Sequence, residues 1–230
     1  VLIGGLQRFS LCDYPGRVAA VVFTQGCNFR CPFCHNGHLL SKSGSGPMLD
    51  EGEVLDFLAR RKKQLGGVVV SGGEPTLQDD LAGFVGAIKE LGLAVKLDTN
   101  GSRPEVLERL VAASLVDYIA MDVKAPLAKY DRLCGTRVDT AAVRASIDLI
   151  GASGIPHHFR TTFVEALLDA EDLFRVRELV PPASQHVVQP FCARSALDET
   201  LRQWKSVVFR SIENGDADAV PHPRFFPRGR

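Results

Sequence analysis

The feature that most limits what this chain can fold into is an alternation. Short apolar runs take turns with longer stretches in helical register. Arg17–Phe23 (RVAAVVF) is a near-continuous apolar run, the pattern of a strand covered on both faces. Similar runs follow at Gly67–Val70, Ala94–Leu97, Tyr118–Met121, His158–Val164 and Val187–Gln189. The helices between them show their caps. Asp50 with Glu53 reads as a capping box ahead of Val54, Leu55, Phe57 and Leu58. Thr76 or a neighbour opens a helix whose stripe of Leu81, Phe84, Val85, Ile88 and Leu91 stops at Gly92. Ser102 with Glu105 reads as another capping box, before Leu107, Leu110 and Val111. Thr140 precedes Val143, Ile147 and Ile150, closed by Gly151, and Asp169 precedes Leu173, Val176 and Val180, stopped by Pro181 and Pro182. Ser195 precedes Leu197, Leu201, Trp204 and Val208. Strands alternating with helices predict an α/β fold with parallel pairing and right-handed crossovers, as an open doubly wound sheet or a partial barrel. No Gly-x-Gly-x-x-Gly follows the first strand, so a dinucleotide fold lacks its fingerprint.

Composition narrows the class. With 45% apolar and 23% charged residues, the chain is an ordinary globular sequence of 230 residues. The expected organisation is a single domain over 1–230, with an N-terminal extension over about 1–17 and an irregular, Pro- and Arg-rich tail over about 215–230. Ser41–Pro47 reads as a flexible loop. Lys+Arg and Asp+Glu balance at 27 each, which argues against a nucleic-acid partner. No apolar run reaches the roughly 18–20 residues of a membrane span, and Val1–Arg8 shows no secretory pattern. Three of the six cysteines crowd into Cys27–Cys34, too close to pair readily with one another, whereas Cys12, Cys134 and Cys192 are scattered. A reduced, cytoplasmic protein using thiolates as metal ligands is the expectation.

Ligands of parallel α/β folds bind at the C-terminal ends of the strands. After the first strand comes Cys27-Asn28-Phe29-Arg30-Cys31-Pro32-Phe33-Cys34-His35, a C-x3-C-x2-C loop. Soft thiolates select iron–sulfur, zinc or Cu(I). Three of them around a cubane cluster leave one iron open. The alternatives are a structural Cys3His zinc site with His35 as the fourth ligand, and an electron-transfer cluster with Cys12 or Cys192 as a distant fourth. After the second strand come Gly72, Gly73 and Glu74, where glycines permit close backbone approach and the carboxylate suits an ammonium group, or else form a turn with a solvated acid. Asp98, Thr99 and Asn100 end the third strand, and Asp122 and Lys124 the fourth. Arg160 and Thr162 lie in the fifth, and Gln189 ends the sixth. A cation inside an apolar strand needs an anionic partner, either a ligand carboxylate or Asp122. Asp98 and Asp122 close together share a proton or recruit a cation, and Lys124 pairs with either acid or reaches the substrate.

The C-x3-C-x2-C spacing with Phe33 before the last cysteine is similar to the signature of radical S-adenosylmethionine (SAM) enzymes. The longer string Asp13-Tyr14-Pro15-Gly16 … Phe23-Thr24-Gln25-Gly26-Cys27-Asn28-Phe29-Arg30-Cys31-Pro32-Phe33-Cys34-His35-Asn36 resembles glycyl-radical-enzyme activating proteins. It is most like those of anaerobic ribonucleoside-triphosphate reductases. The resemblance runs from about Ile3 to about Cys192 and implies a partial (β/α)6 barrel of parallel strands. It implies a [4Fe-4S] cluster on Cys27, Cys31 and Cys34, and SAM held through Gly72, Gly73 and Glu74 at its amino group and Arg160 at its carboxylate. Thr99 and Asn100 are expected at the ribose, and Phe33, His35 and Asn36 along the adenine. Thr162 and Gln189 complete the expected pocket, with a monovalent cation between Asp98 and Asp122. Cys192 stands where related formate-lyase activases often carry His; Cys12 and Cys134 read as small core or surface residues.

The implied reaction is reductive cleavage of SAM to a 5′-deoxyadenosyl radical, which takes a hydrogen from a glycine of a partner glycyl radical enzyme, with flavodoxin or ferredoxin as reductant. No cysteine-rich insert separates Asn36 from Asp50, which favours a ribonucleotide-reductase or formate-lyase type of partner. The rival readings are a pyruvate formate-lyase-type activase, a radical SAM enzyme acting on a small molecule, and a non-catalytic zinc- or cluster-binding module.

Overall fold

The computed structural model describes residues 1–43 and 46–204, and the statements below concern those residues. Seven strands form one sheet in sequential order: β1 (Ile3–Ser10), β2 (Ala19–Thr24), β3 (Gly67–Gly72), β4 (Ala94–Thr99), β5 (Tyr118–Asp122), β6 (His157–Phe163) and β7 (Gln185–Pro190). The pairs from β2 to β7 are all parallel, as the strand–helix alternation predicts, while β1 runs antiparallel to β2 at the edge. The stretch expected as an N-terminal extension thus supplies a seventh strand. Its sequence, with two glycines and Gln7-Arg8, carries no apolar alternation, and an edge strand joined to an antiparallel neighbour needs no crossover helix to announce it.

Seven helices lie along the chain: α1 (Glu51–Arg61), α2 (Leu81–Glu90), α3 (Pro104–Ala112), α4 (Tyr130–Cys134), α5 (Thr140–Ala152), α6 (Ala170–Leu179) and α7 (Glu199–Arg202). Asp50 caps α1 by accepting from the Glu53 N–H, and Asp169 caps α6 in a full box with Asp172. Four expectations shift. The Pro75–Leu77 segment containing Thr76 is a single 3-10 turn, and α2 begins only at Leu81. Ser102 does not cap α3, because Pro104, pre-set for the first helical position, moves the boundary to Arg103. Asp139, not Thr140, caps α5, which continues through Gly151 to Ala152. The stripe after Ser195 breaks into a 3-10 turn at Ala193–Ser195 and the short α7, with Asp198 capping the latter. Val208, the whole of the predicted tail over about 215–230 and part of the Ser41–Pro47 loop lie outside the described residues.

Strand periodicity separates two interiors. Val68, Val70, Val95, Leu97, Ile119, Met121 and Phe159 face the helices and belong to the main core. Val69 and Val21 on the opposite face pack with Tyr14 and Ala19, against which Phe23, Ala94 and Tyr118 rest. This small apolar plug fills the inner face near the N-terminal ends of the strands. Lys96 stands in register with Val69 and Tyr118 of this plug, and Asp98, Asp122 and Arg160 lie above it, toward the C-terminal ends. Residues from β2 through β7 and the loops that follow line one cavity, so the sheet curls around it as a partial barrel.

Candidate active site

The cavity has a volume of about 410 Å³, within the usual range of small-molecule sites. Its lining brings together Cys27, Cys31, Phe33, Cys34, His35, Asn36, Gly72, Gly73, Glu74, Asp98, Thr99, Asn100, Asp122, Lys124, Arg160, Thr162 and Gln189, all expected at the site, but neither Cys12 nor Cys192. Asp13, Phe23, Phe29, Leu40 and Ser71 also line it and were not singled out. Asp13 lies outside the parallel strand ends, in the turn between β1 and β2, where it accepts from the Ser10 hydroxyl.

The cysteine loop is held from several directions. Gly26 adopts φ +96°, a conformation that favours glycine, and turns the chain out of β2. The Gly26 and Cys27 N–H groups donate to the Leu39 and Leu40 carbonyls (2.7 and 3.1 Å), closing the loop back on itself. Arg30 N–H donates to the Cys134 carbonyl (2.7 Å), and Asp198 N–H to that of Pro32 (2.8 Å). The Asn100 amide donates to Asn28 Oδ1 (2.9 Å). Cys34 N–H donates to the Cys31 carbonyl (3.0 Å), forming the turn that brings the last two sulfurs round. Burial pushes the Cys27 thiol up to about 12 and also raises Cys34. Cys31 moves the other way, lowered by the Cys134 thiol beside it, so it is the protons of Cys27 and Cys34 that a bound metal must displace.

His35 forms no zinc site with the loop thiols, since among the described residues no three His, Cys, Asp or Glu side chains are placed to hold a single metal ion. The His35 Nε2 lies 2.7 Å from the Cys192 carbonyl oxygen, and its ring stacks on Phe191. This matches a packed rim residue. The donor set that faces the cavity is three thiols without a neighbouring fourth side chain of the loop. That set suits a cluster with one iron left for an exogenous ligand.

The Gly72–Glu74 loop has a different character. A Cβ at Gly72 would overlap the Thr24 backbone, and one at Gly73 would overlap the Gly26 carbonyl. The glycines allow β3 and the cysteine loop to touch backbone to backbone, with Gly73 N–H on the Thr24 carbonyl and Glu74 N–H on that of Gly26, both 2.9 Å. Glu74 is only 1% exposed. Its Oε1 accepts from Thr76 N–H (3.1 Å), Thr76 Oγ1 (2.6 Å) and Thr99 Oγ1 (2.7 Å), and its Oε2 from Asn100 N–H (2.7 Å). Burial still raises its pKa against these donors. Glu74 is neither the solvated acid nor a free ammonium acceptor; it ties the ends of β3 and β4 together.

Across the cavity runs a chain of charges. Lys96 contacts Asp98, and Arg160 bridges Asp98 (Nη1–Oδ2, 3.2 Å) and Asp122 (Nε–Oδ1, 2.8 Å). Lys124 contacts Asp122 at 2.9 Å and lies over the Phe33 ring. Burial opposes the Asp122 charge, but Arg160 and Lys124 together outweigh it and hold that carboxyl well below the usual range. The same contacts raise Arg160 and Lys124 against their own burial. Of the two anionic partners expected for Arg160, Asp122 is present, and Asp98 joins it. The expected monovalent cation loses its reason, because three side-chain cations answer the two acids. The chain of charges carries one positive charge in excess, beside the thiols.

The geometry has counterparts in known proteins. Residues 21–175 match the model of the radical SAM superfamily. A protein of Methanocaldococcus jannaschii named as a candidate glycyl-radical enzyme activating enzyme is 36% identical over 208 residues, 88% of this chain and 85% of the relative. The pyruvate formate-lyase-activating enzyme of Streptococcus mutans is 31% identical over 190 residues, 78% of this chain and 72% of the relative. Among solved structures, SuiB of Streptococcus suis bound to S-adenosylmethionine superposes with a TM-score of 0.61 at 16% identity. That match covers 84% of this chain and 45% of SuiB, so the chain spans less than half of that protein and the likeness speaks for the fold. The chain belongs to the radical SAM superfamily. It is accordingly an enzyme that uses a [4Fe-4S] cluster and SAM, which sets aside the non-catalytic zinc module. Among the described residues no helix is long and apolar enough to cross a membrane.

Proposed function

We propose that this chain is the activating enzyme of a glycyl radical enzyme, with an anaerobic ribonucleoside-triphosphate reductase as its partner. The observation that carries the activase reading is the single cavity in which three thiols from one loop meet residues from the ends of all six parallel strands. The two relatives matched over most of their length carry activating-enzyme names, which supports it. The choice of reductase rests on the Cys27–Asn36 string. The S. mutans relative favours the second reading, a pyruvate formate-lyase as partner.

Cys27, Cys31 and Cys34 would hold the cluster, as three thiolates on a loop already closed by backbone hydrogen bonds. When bound, the cluster supplies the electron that splits the sulfonium of SAM and so generates the 5′-deoxyadenosyl radical. The rest is orientation by this chain. The positive end of the charge chain, at Lys124 and Arg160, offers an electrostatic seat to an amino-acid carboxylate. The carbonyls of the Gly72–Gly73 segment lie where the backbone can approach an ammonium group. Thr99 and Asn100 face the expected ribose, with Phe33, His35 and Asn36 along the base. Thr162 and Gln189 complete the proposed pocket, and the apolar plug of Tyr14, Val21 and Val69 packs the inner face nearer the N-terminal strand ends. Flavodoxin or ferredoxin is the proposed electron donor.

Anaerobic reconstitution and reduction with SAM present should yield 5′-deoxyadenosine by liquid chromatography, dependent on all three cysteines. Adding the reductase should then produce a glycyl-radical doublet in electron paramagnetic resonance. A doublet only with the formate-lyase would exchange the partner. 5′-Deoxyadenosine without a radical on either protein would point to a small-molecule substrate.

A further inference from the structure

Cys134 reads in sequence as a small core or surface residue, and the fold sets it behind the cysteine loop. It is the last residue of α4 and is fully buried. Its carbonyl accepts from Arg30 N–H at 2.7 Å. The next residue, Gly135, has φ +60°, and a Cβ there would overlap the Arg30 carbonyl. This close approach leaves the Cys134 thiol in hydrogen-bonding contact with the sulfur of Cys31. The other two loop sulfurs meet backbone instead: Cys27 Sγ accepts from Phe29 N–H (3.4 Å), and Cys34 is bonded by the Asn36 N–H. A disulfide needs Cα atoms within about 7 Å. The Arg30–Cys134 backbone hydrogen bond, one residue from Cys31, holds the two segments side by side, the approach that such a bond requires. Cys31 lines the cavity, so a small solute reaches it, whereas Cys134 lies behind it, outside the lining.

We propose that Cys31 and Cys134 form a reversible disulfide in the cluster-free chain, with Cys31 as the attacked thiol and Cys134 as the resolving one. The oxidant is a hydroperoxide. The Cys31 sulfur attacks one peroxide oxygen, the O–O bond breaks, and Cys31 becomes a sulfenic acid as the first water leaves. The Cys134 sulfur then attacks the Cys31 sulfur, its proton departs with the sulfenic oxygen as the second water, and the S–S bond forms. Two thiols lose two electrons, and one hydrogen peroxide becomes two waters. A dithiol reverses the bond by exchange. The bond withdraws the middle thiol of the loop and shields it from irreversible oxidation. That consequence rests on Cys31 being a cluster ligand; the disulfide itself does not.

The test uses the full chain, reduced, free of iron and exposed to stoichiometric hydrogen peroxide, followed by alkylation and non-reducing peptide mapping. Fragment spectra separate Cys31 from Cys34, which share a tryptic peptide. The expected product is a Cys31–Cys134 cross-link that dithiothreitol removes. In Cys134→Ala, Cys31 sulfinic and sulfonic acid should rise several-fold at equal exposure. A bond between any two of Cys27, Cys31 and Cys34 in its place overturns the proposal, as does equal over-oxidation of Cys31 in both proteins. The wild-type map decides even if the variant folds poorly. Iron loading of the reduced chain is measured separately: a chain that cross-links yet never takes up iron refutes the cluster and leaves the disulfide standing.

Discussion

The cysteine loop after β2 and the Gly72–Glu74 loop after β3 lie side by side, and each carries residues suited to a ligand. They use those residues differently. Cys27 and Cys34 receive only backbone N–H contacts and keep their sulfurs on the cavity. Glu74 is saturated by four donors from its own neighbourhood, and its glycines exist so that Gly26 can approach. One loop presents chemistry, and the other builds the frame that presents it. A chemically suggestive side chain therefore has to be followed to its actual partners before a role is assigned.

The contrast can be broken most forcefully at the thiols. Replacing Cys27, Cys31 or Cys34 with Ser should abolish iron–sulfur absorbance and lower 5′-deoxyadenosine formation at least 100-fold. For Cys27 and Cys34 the unfolding free energy should stay within about 1 kcal/mol of wild type, because neither sulfur holds the fold. Glu74→Ala should show the reverse: about 3 kcal/mol of stability lost in denaturant titration, since buried donors of Thr76, Thr99 and Asn100 lose their acceptor. A Glu74→Ala protein as stable as wild type, but weak only in SAM binding, would make Glu74 a ligand contact after all. Gly73→Ala should cost about 2 kcal/mol by prising the two loops apart, and iron occupancy after reconstitution should drop with it.

A smaller effect comes from two histidines of the sheet, His158 in β6 and His186 in β7. Burial, with Arg160 and Lys96 nearby, lowers His158 from 6.5 to about 4, and burial with Arg177 does the same to His186. As pH falls below 6.5 the unfolded chain takes up protons before the folded one. Stability is therefore full above that pH and declines toward pH 4. Allowing for partial exposure, each histidine contributes about 1–2 kcal/mol to the decline. Denaturation followed from pH 7 to 4 should show the slope, and His158→Gln should reduce it. An unchanged slope in His158→Gln would assign the proton uptake elsewhere.

Much of this was legible in the sequence because it is local. The parallel strands, the cysteine spacing and the polar residues at the strand ends are each written in a few consecutive residues. What escaped depends on long-range contact. β1 has no apolar alternation, and its partner strand, not its own residues, makes it a strand. Asp13 enters the cavity from a turn that no strand-end rule covers. Arg160 was expected to need an anion, and Asp122 was one of the two foreseen; that Asp98 shares it follows only from how the sheet curls. Cys134 meets Cys31 because Gly135 lets α4 come close, and no pattern around either cysteine encodes that.

The Lys96–Asp98–Arg160–Asp122–Lys124 chain has a consequence for how such a protein can change over generations. Each acid shares Arg160, so losing either aspartate strands part of a buried guanidinium, and losing the arginine leaves two acids facing each other. A single substitution at any of these three positions is penalised even where a compensated set would be neutral. The positions are thus inherited together, and a descendant with a different residue at one of them should carry a matching replacement at another.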